Sequence, residues 1–334
     1  MKIKILIITI LICTAGFGQN ISKSGSTAAQ FLKIGVGTRA IGMGGAFSAT
    51  YADLSSIYWN PAGIAGIYSR EVQFNHVDWI MDVNYDFASF AMKTGDIGTL
   101  GAFVSVLSMG EMPVRTNEQP EGTGEYFNAG GLQIGLSYAR ELTDNFSIGF
   151  NAKYVREHIW NMSATGFALD IGTLYKINIL NEFRLGASIS NFGTKMRLDG
   201  RDVLKVIQVG GSQGNLINTK IELDEYDMPL FFRVGIAADV VKEQDHLLTV
   251  ALDAVHPNDN SEAINSGLEY SWNNIVFLRA GYKSLFEQNG EQGLTLGAGI
   301  NYKIFDAVAL ALDYAYEDFG ILTNVHYLTV GVKF

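Results

Sequence analysis

Between residue 71 and the terminal Phe334, polar and apolar residues alternate in runs of about ten, and the connections between runs switch between tight and open. Side chains on a β-strand point alternately to its two faces, so each run has one apolar face and one polar or small face. In 164–176, Phe167, Leu169, Ile171 and Tyr175 share one face, while Ala168, Asp170, Gly172 and Lys176 share the other. In 293–303, Leu294, Leu296, Ala298, Ile300 and Tyr302 oppose Thr295, Gly297, Gly299, Asn301 and Lys303. A soluble β-protein has no reason to keep every second turn tight. A barrel crossing an outer membrane does, because its periplasmic turns are short and its extracellular loops long.

The pattern predicts fourteen strands, at 71–77, 85–93, 98–109, 130–140, 145–157, 164–176, 182–191, 230–241, 247–256, 265–272, 275–283, 293–303, 306–316 and 325–334. Connections near 94–97, 141–144, 177–181, 242–246, 273–274 and 304–305 have five residues or fewer. Those near 78–84, 110–129, 158–163, 192–229, 257–264, 284–292 and 317–324 are longer, in strict alternation with the short ones. An even strand count puts both ends of the array on the periplasmic side. Pro61, Pro113, Pro120, Pro229 and Pro257 all avoid the strand interiors, where proline removes a ladder hydrogen bond. Arg184, Arg233, Asp239, Asp253, Arg279 and Asp313 fall opposite the apolar faces and are expected to point into a lumen. Trp79, Trp160 and Trp272 lie at or near strand ends, where aromatic girdles meet the bilayer interfaces. The last strand places Leu328, Val330, Val332 and Phe334 on one face, a pattern resembling the signal read by the outer-membrane assembly machinery. The expected fold is all-β: a 14-stranded antiparallel transmembrane β-barrel, in contact with outer-membrane lipid of a Gram-negative bacterium.

Composition agrees with this reading. With 48% hydrophobic and 17% charged residues among 334, the chain suits one large barrel or two ordinary domains. Mean hydropathy is only slightly positive, too polar for a helical membrane protein. Residues 1–18 read as a cleaved signal peptide: Lys2 and Lys4 precede the apolar run 5–12, and Gly16-Phe17-Gly18 offers a small-x-small cleavage site. That apolar run is about half the roughly 20 residues a spanning helix needs. Cys13 is the sole cysteine, so the mature chain has no disulfide, thiolate metal site or cysteine nucleophile. Loss of Lys2 and Lys4 takes the net charge from −10 to −12, and no basic excess remains to attract nucleic acid.

Residues 19–70 depart from the alternation and are expected to form an N-terminal plug, with the barrel at 71–334. Five glycines fall between positions 35 and 45, enough for backbone to pack directly on backbone. Asn60-Pro61 favours an extended or turn conformation. The run FLKIGVGTRAIGMGGAFSATYADLSSIYWNPAGIA resembles the N-terminal signature of the PorV/PorQ family of outer-membrane proteins, which is related to the FadL-type fatty acid transporters sharing the Asn-Pro-Ala element. Within it, Arg39, Gly42, Met43, Gly44, Gly45, Asp53, Trp59, Asn60, Pro61, Ala62 and Gly63 are the motif positions. The resemblance implies a FadL-like 14-stranded barrel with a plug, and a place in type IX secretion. Expected partners are then the type IX translocon and the C-terminal domains of secreted cargo. The FadL relation implies instead hydrophobic small molecules such as long-chain fatty acids.

Catalytic signals are weak. Gly35-Val36-Gly37-Thr38-Arg39-Ala40 mimics a dinucleotide loop, but further glycines follow where a helix belongs. Gly210-Gly211-Ser212-Gln213-Gly214 fits G-x-S-x-G, yet it lies in the long loop of an all-β chain. His76, His158, His246, His256 and His326 are dispersed, and Asn258-Asp259-Asn260 lacks the rest of a calcium loop. The reading is a non-enzyme with no cofactor and no metal. Loop 192–229 mixes Val203-Leu204, Val206-Ile207, Leu216-Ile217 and Leu223 with charges, which suits contact with a protein partner.

Overall fold

A computed structural model describes residues 24–179, 181–210, 214–286, 292–305 and 308–334; the expected signal peptide lies outside them. Fourteen long strands are present among these residues: β1 (Arg70–Asp78), β2 (Asn84–Lys93), β3 (Thr99–Ser108), β4 (Ala129–Thr143), β5 (Phe146–Ile159), β6 (Met162–Ile177), β7 (Phe183–Gly193), β8 (Phe231–Lys242), β9 (His246–Pro257), β10 (Ala263–Trp272), β11 (Val276–Leu285), β12 (Leu294–Phe305), β13 (Val308–Asp318) and β14 (Asn324–Lys333). Each pairs antiparallel with the next, and β14 returns to β1 with Lys333 opposite Glu71 and His326 opposite Asp78. The sheet is therefore a closed barrel. Every strand lies within three residues of its expected position.

The expected strict alternation of connection lengths needs correction. The β5–β6 connection is residues 160–161 alone, and the extracellular 79–83 is no longer than the periplasmic 94–98. The cause is strand length. β4, β5 and β6 have 15, 14 and 16 residues, against about 9–11 needed to cross a bilayer. Their surplus stands beyond the lipid, and cross-strand pairing draws former loop residues into the ladder.

The wall sorts its faces as the pattern requires. Outward residues such as Leu136, Phe167, Leu169, Leu278, Leu312 and Leu328 are exposed, whereas Asn75, Asn151, Asp170, Arg233, Asp253, Glu269 and Arg279 are buried inside. Within the barrel run a 3₁₀ turn (Gln30–Lys33), helix α1 (Thr38–Gly42), helix α2 (Ser56–Trp59) and a second 3₁₀ turn (Pro61–Gly66). Helix α1 follows Gly37, where the sequence reading expected more irregular glycine-rich chain; Gly44 and Gly45, both at positive φ, end it after one turn. The segment starts near the extracellular mouth, where the Ala28 amide donates to the Asp227 carbonyl and Lys33 pairs with Asp259. It ends near the periplasmic turns, where Lys93 donates to the Ala65 carbonyl.

Close contact between segment and wall depends on missing side chains. A Cβ at Gly281 would lie 2.1 Å from the Gly44 amide nitrogen, one at Gly267 2.3 Å from the Met43 carbonyl oxygen, and one at Gly149 2.3 Å from the Pro61 carbonyl carbon. Wall and segment thus meet backbone to backbone. Gly281→Val should cost the ~1–3 kcal/mol typical of overpacking, read as a lower thermal unfolding midpoint in detergent. Gly331→Ala, whose Cβ would meet nothing nearer than 3.5 Å, should leave the midpoint unchanged.

Candidate functional site

The lumenal segment is held by polar contacts reaching across most of the barrel circumference. Helix α1 presents Arg39, whose Nε lies 2.9 Å and Nη2 2.6 Å from the two carboxylate oxygens of Glu269 on β10. Its Nη1 lies 2.9 Å from Asp53. Glu269 also accepts from Arg279 Nε on β11 at 2.6 Å, and Arg279 reaches Asp313 on β13 at 2.5 Å. Charges therefore alternate along Asp53–Arg39–Glu269–Arg279–Asp313, linking the segment to three strands. A cavity of about 230 Å³ opens beside this chain, bordered also by Glu71, Asn301 and Thr329. Burial alone raises the Asp53 carboxyl, but the Arg39 guanidinium and its hydrogen bond outweigh that and hold it below the usual carboxylate range. Burial likewise disfavours the Arg39 charge, and Glu269 and Asp53 together raise its pKa above the ordinary arginine value.

Asn60 is the second tie. It is extended, as a residue before proline prefers, and Pro61 occupies the first position of the following turn. Its Oδ1 accepts from the Ala62 amide at 3.1 Å, while Nδ2 donates to the Ser48 carbonyl at 2.6 Å and the Thr173 carbonyl of β6 at 3.0 Å. Trp59 Nε1 donates to the Val36 carbonyl at 2.8 Å, and its own carbonyl accepts from Ser188 on β7 at 2.8 Å. A Cβ at Gly63 would come within 2.6 Å of the Thr50 carbonyl oxygen, so the turn admits only glycine there.

The remaining motif positions fall at the same interface. Thr295 Oγ1 donates to the Gly42 carbonyl at 3.3 Å and accepts from the Gly44 amide at 3.0 Å. Met43 is fully enclosed against β10, and Gly45 packs under the Trp59 ring. Most motif residues meet the wall, whereas Gly63 packs on Ser56 and Thr50 and Asp53 bonds Arg39 and the Ser55 amide, all within the segment. Leu328, Val330 and Val332 instead face outward on β14, and the exposed Phe334 follows it, exchanging backbone hydrogen bonds with Arg70. Of the G-x-S-x-G match, residues 211–213 lie outside the described ones.

Several wall partners were not singled out from sequence. Glu269, Thr295, Asn151 and Ser188 all bond the segment; Asn151 Nδ2 donates to the Ile57 carbonyl at 2.7 Å. Their only signal is a polar side chain on the polar face of a strand, which most lumenal residues share. Asp253, read as lumenal, accepts from the Phe47 and Ser48 amides at 3.0 and 2.8 Å. Asp259, weighed for calcium, accepts from Thr27 and Gln30 as well as pairing with Lys33. Among the described residues, no group of three His, Cys, Asp or Glu is placed to hold a metal ion.

A closed 14-stranded barrel with an apolar outer wall and a polar, filled lumen is an outer-membrane protein of a Gram-negative bacterium. Its fold resembles three solved structures: the Pseudomonas putida toluene transporter TodX (TM-score 0.58, 14% identity, covering 90% of this chain and 97% of that one); the Ralstonia pickettii toluene transporter TbuX (0.54, 14%, 90% and 97%); and a Pseudomonas aeruginosa FadL homologue (0.52, 12%, 90% and 98%). Among curated proteins, no sequence relative matches. Residues 18–253 match the family model of the type IX secretion system protein PorV, and the chain belongs to that family.

Two outcomes follow from the charge chain. Glu269→Gln leaves the buried Arg279 and the half-buried Arg39 short of a countercharge and should cost ~3–5 kcal/mol of stability, read as a lower unfolding midpoint in detergent. Because Asp53 has a depressed pKa in the folded state, its contribution is present above about pH 4 and is lost as pH falls through the folded value. The wild-type midpoint should therefore drop in that acid window, and Asp53→Asn should remove part of the drop while lowering the midpoint at pH 7.

Proposed function

We propose that this protein is a closed, non-enzymatic accessory barrel of type IX secretion or cell-surface attachment. In this reading residues 19–70 are the plug, 71–334 the barrel, and the extracellular loop between β7 and β8 a docking surface for protein. Leu328, Val330, Val332 and Phe334 are assigned to recognition by the assembly machinery.

The observation that carries the reading is a ribbon in that loop. Leu204–Val209 pairs with Asn215–Lys220 and with no other described strand. Leu204, Val206, Ile207, Val209, Leu216 and Ile217 are all exposed on it. A lone two-stranded ribbon is marginal in water, and its register sets Leu204, Val206 and Leu216 on one face and Ile207, Val209 and Ile217 on the other, so both faces offer exposed apolar surface to a partner. Its base is firm: the Ile221 amide donates to the Val203 carbonyl at 2.8 Å, and Met196 and Tyr226 exchange backbone hydrogen bonds. Met196, Val203 and Met228 are buried against the barrel. Family membership supports a translocon component or the C-terminal domain of secreted cargo as the partner. The tightly seated segment supports a barrel that stays shut while its outside works.

A second reading is passage of a hydrophobic solute, as the toluene transporters of similar fold are named for. It is favoured by the Asn60 tie, which joins the segment to β6 through one side-chain hydrogen bond, to the Thr173 carbonyl, that a gate could break.

Replacing 204–220 by a short Gly-Ser turn joins chain ends already bonded at Val203 and Ile221. The variant should stay heat-modifiable on semi-native gels and lose the protein partners that co-purify from native outer membranes. Retained partners would remove the docking role. Bound fatty acid or another apolar solute, without such proteins, moves the assignment to transport, and Asn60→Ala should then change uptake.

A further inference from the structure

The lipid-facing wall is not smooth. A groove of about 670 Å³ crosses β4 to β7 in its outward face, floored by Ala152 and walled by Leu136, Tyr154, Phe167, Leu169 and Phe192. Strand register explains it. Leu136 stands opposite Ala152, Ala152 opposite Leu169, and Leu169 opposite Phe192, so one small residue sits in a row of large ones. The β6–β7 ladder then shifts register between Leu169 and Ile171, and β7 ends at Gly193 while β6 continues upward. The large side chains around the groove stand clear of their neighbours: Leu136, between Ala102 and Ala152, is 67% exposed, and Phe167 and Phe192 are each 65% exposed.

Directly above lies a cation. Outward positions on β5 run Phe146, Ile148, Phe150, Ala152, Tyr154 and then Arg156 and His158. At about 3.4 Å per residue, Arg156 stands roughly 14 Å along the strand from the groove floor. The apolar stretch below it matches the ~25 Å apolar band of a barrel, so Arg156 falls at the extracellular interface. It lines a second hollow of about 490 Å³ with Val106, Met109, Leu132 and His158. No ion pair of Arg156 occurs among the described residues. An unpaired, outward arginine at headgroup depth, above an apolar groove and lining a hollow of mixed polarity with Ser108, Asn128 and His158, is complementary to an anion that carries acyl chains and a polar headgroup.

We propose that β3 to β7 form a binding site for one phosphorylated, multi-acyl glycolipid of the outer leaflet, with its phosphate on Arg156, its polar headgroup in the upper hollow and acyl chains in the groove below. The site faces the membrane and is independent of the docking role of the loop. Arg140, outward at the opposite end of β4, lies at the periplasmic interface and serves as the internal control.

The test uses the full-length protein in mild detergent, with native mass spectrometry of the adducts formed with bisphosphorylated lipid A, dephosphorylated lipid A and inorganic phosphate. Wild type should retain the phosphorylated lipid about fivefold better than the dephosphorylated form, the preference one surface cation confers. Arg156→Gln should abolish that preference, Ala152→Trp should reduce both lipids by filling the groove, and Arg140→Gln should change neither. Outward substitutions leave the lumenal contacts intact, and heat-modifiability verifies each barrel. An unchanged preference in Arg156→Gln, equal retention in Ala152→Trp, or adducts with inorganic phosphate matching those with the lipid would each overturn the proposal.

Discussion

Lipid offers a polypeptide no hydrogen-bond partners, and this single constraint organises the protein. Every backbone amide and carbonyl of a spanning strand must be satisfied by another strand, so the ladder has to close. It does so where β14 returns to β1, and Arg70 and Phe334 complete the seam with paired backbone bonds. Closure then divides the side chains. One face of each strand is given to lipid, and the other is left around a lumen that water or protein must fill.

Here protein fills it. A segment of one-turn helices and irregular backbone at membrane depth is tolerable only where its free polar groups find partners inside the wall. Those partners are side chains: Thr295 for the Gly42–Gly44 turn, Asp253 for the Phe47 and Ser48 amides, Asn151 for the Ile57 carbonyl and Ser188 for that of Trp59. Wall glycines let the backbones approach closely enough for such short side chains to reach. The alternating charges through Arg39 and Glu269 contribute direction more than net energy, since a buried ion pair gains little over apolar packing yet is costly to break. They fix one seating of the segment against many.

A filled lumen leaves the outer surfaces of the barrel as its accessible ones. The long β4–β6 strands raise part of the wall above the lipid, and the β7–β8 loop adds an apolar ribbon over the same sector. The groove on the outer wall lies just beneath, where β7 leaves the sheet. The exposed ribbon and the outer-wall groove thus share one side of the molecule.

Strand positions, face assignment and the lumenal side of Arg233, Asp253, Arg279 and Asp313 were legible in the residues alone. Each depends on the two-residue period of a strand, and one slipped residue would turn an entire face into lipid. The glycine-rich segment was legible too as something that packs backbone on backbone. What it packs against was not. Arg39 and Glu269 are 230 positions apart, and Gly44 meets Gly281 only because fourteen strands close in one register. Nor did the sequence show that β5 and β6 would outgrow the bilayer and shorten their shared loop, or that Leu204–Val209 would stand unpaired with the barrel. Periodicity is a local property written residue by residue, whereas the choice of partners across the lumen is made by barrel closure, which only the whole chain performs.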